Sequence, residues 1–148
     1  MDAFVDTSII IPAIIECPDT SLVHQFIQTT QYRLVISPLI YDEALFAGTK
    51  ILLRERFDIT SLAAVRKYVT NKGYEGISDF IERLNILVSE FSICPDSTRL
   101  QMISQIADQY HLLSGDALII ATCIDNNISV LASFDSDFKK VEGFTFLF

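Results

Sequence analysis

Ala3-Phe4-Val5-Asp6 is a short apolar run that ends on an acid, with Thr7 and Ser8 directly behind it. A continuous apolar run, rather than an alternating one, marks a strand buried on both faces. The same form returns at residues 33–37 (Arg-Leu-Val-Ile-Ser), 91–94 (Phe-Ser-Ile-Cys) and 128–133 (Ile-Ser-Val-Leu-Ala-Ser), with a last strand expected over 145–148. Helical patterns fill the gaps. Leu22, Val23, Phe26 and Ile27 share a face over 20–28, and Leu100, Ile103, Ile106 and Ala107 do so within 96–111. Pro38 opens a helix that should run to Phe46 before Gly48 stops it. Further helices are expected over 49–68 and 77–89, on either side of breaks at Asn71, Gly73 and Gly76. Ser114 is the expected N-cap of a helix over 115–125, and one helical turn is expected over 136–141. Strands that alternate with helices predict an α/β protein, a three-layer α/β/α sandwich around a central parallel sheet.

The chain has 148 residues and is half apolar, which suits one domain with a substantial core. Residues 1–148 are read as a single domain carrying a helical arm at about 49–89. Cys17, Cys94 and Cys123 are odd in number, far apart and not in a metal-binding spacing, so they read as small hydrophobes in a reducing cytoplasm. The apolar run 8–15 is short, interrupted by Pro12 and preceded by acids, so it reads as neither a signal peptide nor a membrane span.

In an open parallel sheet, ligands bind beyond the carboxyl ends of the strands. Asp6 ends the first strand, and Asp135 and Asp137 lie just past the fourth. Asp116 falls in the first turn of a helix, and Glu43 lies about a turn and a half into the helix that leaves the second strand. Each acid also has a structural reading. Asp6 with Thr7 and Ser8 can cap a helix, Asp116 can be an ordinary first-turn acid, and Asp135 and Asp137 can form a turn. Glu43 is different, because Ile40, Tyr41, Ala44 and Leu45 surround it with apolar neighbours. Four carboxylates in one crevice repel one another, so they take up protons or hold a cation. With no His or Lys in these motifs, an all-oxygen site suits Mg²⁺ or Mn²⁺ and fits Zn²⁺ poorly.

The formal charge of −8, from 19 acids and 11 bases, repels phosphates at long range and excludes nucleic-acid binding through the overall field. The charge is uneven, however. Residues 49–72 hold Lys50, Arg54, Arg56, Arg66, Lys67 and Lys72 against Glu55 and Asp58, six bases against two acids, a local +4 that leaves −12 elsewhere. Lys50, Arg54, Arg56 and Arg66 are therefore the candidate phosphate-backbone-binding residues, with a solvated helix face of mixed charge as an equal alternative. His24 and His111 fall outside the motifs and receive no catalytic role. Phe144, Phe146 and Phe148 alternate on one strand face and read as packing residues rather than base-stacking platforms.

Taken together, these motifs resemble the PIN domain, and most of all the VapC-type toxin ribonucleases. The resemblance rests on Asp6-Thr7-Ser8, on Ser37 through Glu43-Ala44, on Ser114-Gly115-Asp116-Ala117-Leu118-Ile119-Ile120-Ala121-Thr122, and on Ser133-Phe134-Asp135-Ser136-Asp137-Phe138. It spans nearly the whole chain in the family's order. It implies catalytic acids and a Mg²⁺ or Mn²⁺ site at Asp6, Glu43, Asp116 and Asp135, with Asp137 as an accessory acid. Thr7, Ser8, Ser37 and Ser133 would support them from behind. It also implies endonucleolytic cleavage of RNA, a homodimer, and a VapB-like antitoxin partner. A housekeeping RNA-processing or RNA-decay nuclease, or a non-catalytic RNA- or protein-binding domain, is the alternative within the same fold. A response-regulator receiver would need a Lys after the last inner strand, and residues 133–137 contain none. A haloacid-dehalogenase phosphatase carries its Asp-x-Asp at the start of the fold, whereas Asp135-Ser136-Asp137 closes this one.

Overall fold

Ala3, Phe4 and Val5 are wholly buried because the strand they form has neighbours on both sides and helices on both faces. This is β1 (Asp2–Val5) in a computed structural model that describes residues 1–148. It pairs in parallel with β2 (Arg33–Ile36) in the register Phe4 to Val35, and with β4 (Val130–Ala132) in the register Phe4 to Leu131. β3 (Ser92–Ile93) extends the sheet beyond β2 and β5 (Thr145–Leu147) beyond β4, giving the order β3-β2-β1-β4-β5 with every pairing parallel. The three-layer parallel architecture read from the sequence is the architecture found.

The chain winds outward from β1 to β2 and β3, then crosses back to β4 and β5. Right-handed crossovers put the helices of the first half on one face and those of the second half on the other. On the first face, α1 (Thr7–Ile14) packs on α2 (Thr20–Thr29), α3 (Pro38–Phe57) and α5 (Ser78–Ser89), and α4 (Leu62–Lys72) leans on α3. On the second, α6 (Leu100–Tyr110) packs on α7 (Ser114–Asp125). The strand order reverses direction between β1 and β4, which is where a crevice opens at the carboxyl edge. Phe4, Ile9, Ile10, Ile40, Leu53 and Phe80 are among the fully buried side chains of one continuous core. No helix is long and apolar enough to cross a membrane.

Several expected boundaries are corrected. Gly48 does not stop a helix, because α3 runs through it for 20 residues to Phe57. A Cβ there would lie 2.0 Å from Phe80 Cζ, so this glycine lets the Phe80 ring of α5 press against the α3 backbone. The real stop is Asp58, whose left-handed backbone (φ 55°, ψ 31°) ends α3. The helix expected over 49–68 is thus divided between α3 and α4, and the latter starts where Ser61 Oγ accepts from Ala64 N at 3.2 Å. α6 begins at Leu100 rather than 96, since Asp96 and Ser97 are held by other elements. Leu113, not Ser114, occupies the cap position of α7. The run 8–15, read only as apolar, lies almost wholly within the helix α1, and Pro12 sits inside it.

Candidate active site

Asp6 lies one residue beyond β1, and its N–H still reaches Ala132 O at 3.0 Å, so the acid is fixed at the end of the β1–β4 ladder. It is also the N-cap of α1. Its Oδ2 accepts from Ser8 Oγ at 2.6 Å, from Ser133 Oγ at 2.8 Å and from Ser8 N at 3.3 Å. Its Oδ1 accepts from nothing in the protein and is not sealed away. The two hydroxyls are themselves held by β4's loop: Phe134 N donates to Ser8 Oγ and Asp135 N to Ser133 Oγ, both at 3.0 Å. One carboxylate oxygen is therefore clamped from α1 and from the loop after β4, and the other is left for the crevice.

Glu43 reaches the same edge from α3. Thr7 Oγ1 donates to its Oε2 at 3.0 Å. Its Oε1 lies against Gly115, where a Cβ would sit 3.1 Å away, so the glycine at the start of α7 makes room for it. Asp116 is the next residue. Desolvation by burial pushes the Glu43 carboxyl above its usual value, Thr7 opposes this, and Asp6, Asp116 and Asp42 add to it. Burial likewise raises Asp116, reinforced by Asp135, Asp6 and Asp137. Each of the four carboxylates is thus felt by another.

Asp135 starts the 3-10 turn Ser136–Lys140, with its Oδ1 accepting from Asp137 N at 2.8 Å. Asp137 turns its own carboxylate to Lys140 at 2.7 Å, so it contributes field to the crevice more than a free ligand. Ser37 is buried just past β2, but its Oγ has no hydrogen-bond partner and so bonds none of the acids. Of the four basic candidates, Lys50 stands 4.7 Å above the Phe46 ring. Arg54 and Arg66 are exposed. Arg56 is committed elsewhere, in a two-pronged pair to Asp79 at 2.6 and 2.8 Å and a bond to Gly76 O. His24 bonds Ala13 O, and His111 caps α6, both away from the acids.

One supporting residue escapes sequence reading. Ser37 gives α3 no side-chain cap, and Asp96 from the loop after β3 replaces it, accepting from Leu39 N at 3.1 Å. Its signal was an acid directly after Pro95 at a strand end. Nothing local says that its partner is 57 residues away.

The donor set fits a hard divalent cation. It is all oxygen, Asp6 Oδ1 is uncommitted, and burial together with the neighbouring acids penalises the ionisation of Glu43 and Asp116. No three acidic, His or Cys side chains close into a ready-made cage.

Comparison with known proteins bears on the family and the fold. The family model described as "PIN domain" matches residues 3–143. Ribonuclease VapC6 of Methanocaldococcus jannaschii is 28% identical, over 95% of this chain and 93% of that protein. Ribonuclease VapC2 of the same organism is 32% identical over 72% and 66%. Among solved structures, VapBC2 from Rickettsia felis bound to a DNA fragment from its promoter matches with a TM-score of 0.64 and 19% identity, covering 99% of this chain and 98% of that one.

Proposed function

Because the chain belongs to the PIN domain family, we propose that it is a divalent-metal-dependent endoribonuclease that hydrolyses RNA phosphodiester bonds. The observation that carries this reading is the divided Asp6 carboxylate, clamped through Oδ2 and open at Oδ1, beside Glu43, Asp116 and Asp135. A Mg²⁺ or Mn²⁺ ion held by these four acids would neutralise the scissile phosphate and favour in-line attack by water. The protein's own part is positioning. Ser8 and Ser133 hold Asp6, the Asp137 amide holds Asp135, and Thr7 holds Glu43 between α1 and α7. Glu43, with its pKa raised by burial, serves either as a fourth ligand or as the base that orients the attacking water. Lys50, Arg54 and Arg66 are the cations that would meet the RNA, with Arg56 left to its structural pair.

The names of the relatives, both VapC ribonucleases, and the VapBC pair among the structural neighbours favour a toxin controlled by a VapB-like antitoxin over a housekeeping nuclease. The same reading includes a homodimer acting in the cytoplasm, where the three free cysteines remain reduced.

The test is cleavage of a panel of single-stranded RNAs with and without Mg²⁺ or Mn²⁺, by the wild type and by Asp6→Asn. Metal-dependent cuts by the wild type, lost in a folded Asp6→Asn protein, are expected. Equal activity of the two proteins would overturn the site.

A further inference from the structure

A cleft of about 380 Å³ opens between α3 and α4, and Asp42, the residue before Glu43 and close enough to raise its pKa, lines it. Asp42, Phe46, Arg66 and Tyr74 stand around it, over a floor that includes Val65 and Val69. On the α3 wheel, Asp42 and Phe46 lie about 100° and 60° round from Glu43, so the cleft begins where the catalytic stripe ends. Lys50 and Arg54 lie within about 20° of Glu43 on that stripe.

Two features of the cleft bear on what it would hold. The first is a pair of unspent opposite charges. Asp42 and Arg66 line the same space, yet neither takes part in any ion pair of the protein. The second is an aromatic wall. Phe46 is 46% exposed and Tyr74 39% exposed, and the Lys50 ammonium is stationed 4.7 Å from the Phe46 centroid.

Resting on the ribonuclease reading above, we propose that this cleft receives an unstacked guanine base of single-stranded RNA next to the scissile phosphate. Single-stranded RNA is read by stacking splayed bases on aromatic side chains and bonding their edges. Among the four bases, guanine alone presents two adjacent N–H donors, N1–H and the N2 amino group, which suit the acceptor-only carboxylate of Asp42. Its O6 and N7 acceptors suit the guanidinium of Arg66. Adenine would set its N1 acceptor against Asp42. Phe46 supplies the stacking surface, and Lys50 takes the adjoining phosphate. Base reading thus belongs to Asp42, Phe46 and Arg66, whereas Lys50 and Arg54 track the backbone.

The experiment is fluorescence anisotropy with short fluorescein-labelled oligoadenylates carrying a single central guanosine, inosine or adenosine. It is run in EDTA, so that binding is read without cleavage. The wild type should prefer guanosine to adenosine by about tenfold, with inosine, which lacks the N2 amino group, in between. Asp42→Asn should erase the difference between guanosine and inosine. Phe46→Ala should weaken the guanosine oligomer by about tenfold, and Phe46→Tyr should restore it. Lys50→Ala with Arg54→Ala should weaken all three oligomers equally. Guanosine preference in a protein that cuts no RNA would uphold the cleft and sink the nuclease reading. Equal affinities, no binding of any oligomer, or a preference that survives Asp42→Asn would overturn the proposal. So would loss of association with a second protein in Phe46→Ala while RNA preference stays intact, since the cleft would then be a protein groove.

Discussion

Asp6 divides its oxygens between two tasks, and Asp135 follows the same plan: one oxygen opens a helical turn by accepting a backbone N–H, which leaves the other available to the crevice. The helix-capping and catalytic readings of these acids are therefore not rivals, since the cap is what aims the carboxylate. Asp116 is held differently, in the first turn of α7, half-buried among like charges. Its folded-state pKa is raised, so its stabilising effect is complete only below its unfolded value and is lost as pH rises through the folded one. At pH 7, without metal, ionised Asp116 works against the fold. Asp116→Asn should therefore raise Tm at pH 7 in EDTA while abolishing metal-dependent cleavage, and its advantage should shrink on acidification toward about pH 4. Thermal melts across that range check the sign, and a lower Tm for the variant at pH 7 would refute it. These acids were legible in the sequence because strand ends and helix starts leave local marks. The Thr7–Glu43 bond and the Asp96 cap join residues 36 and 57 apart, and no local pattern records such a distance.

Helix α3 carries Glu43, and its placement depends on contacts at three points: Asp96 at its start, Phe80 against Gly48 in its middle, and the Arg56–Asp79 pair near its end. From sequence alone this helix stops at Gly48, because glycine is a poor helix former and a common stop. The Phe80 ring arrives from another element, and no local pattern announces it. Gly48→Ala should cost about 1–3 kcal/mol despite alanine's better helix propensity, as overpacking in a closed core does. Gly115→Ala makes the contrasting case. Its Cβ would press on Glu43 Oε1 from 3.1 Å, a contact that small side-chain adjustment relieves. Chemical denaturation should show little change for Gly115→Ala, whereas its metal-dependent kcat should fall. Asp96→Ala removes the carboxylate that caps α3 and should cost about 1 kcal/mol, with Asp96→Asn milder because it keeps an acceptor. Equal denaturation midpoints for wild type and Asp96→Ala would remove Asp96 from this role.

Across the whole molecule, a charge of −8 and an RNA substrate are compatible only if the cations are grouped where the strand passes. The basic arm was legible as a cluster in sequence, but the sequence could not say which way each side chain points. The structure separates them. Lys50 and Arg54 share the Glu43 stripe of α3, whereas Arg56 lies about 140° round the helix from Glu43. There it is spent on Asp79, whose carboxyl it holds down to about 2 by hydrogen bonding. Phosphate contacts released by salt lower the slope of log affinity against log salt by about 0.7 per contact on a single strand. Lys50→Ala with Arg54→Ala should flatten that slope by about 1.4, while Arg56→Ala should leave it unchanged and lower Tm instead. Titrating a labelled single-stranded RNA with each protein over a range of salt distinguishes the two groups. If Arg56→Ala flattens the slope as much as the double variant, the arm binds RNA as a diffuse cationic surface. The ordered stripe leading from Arg54 through Lys50 to Glu43 would then have no functional meaning.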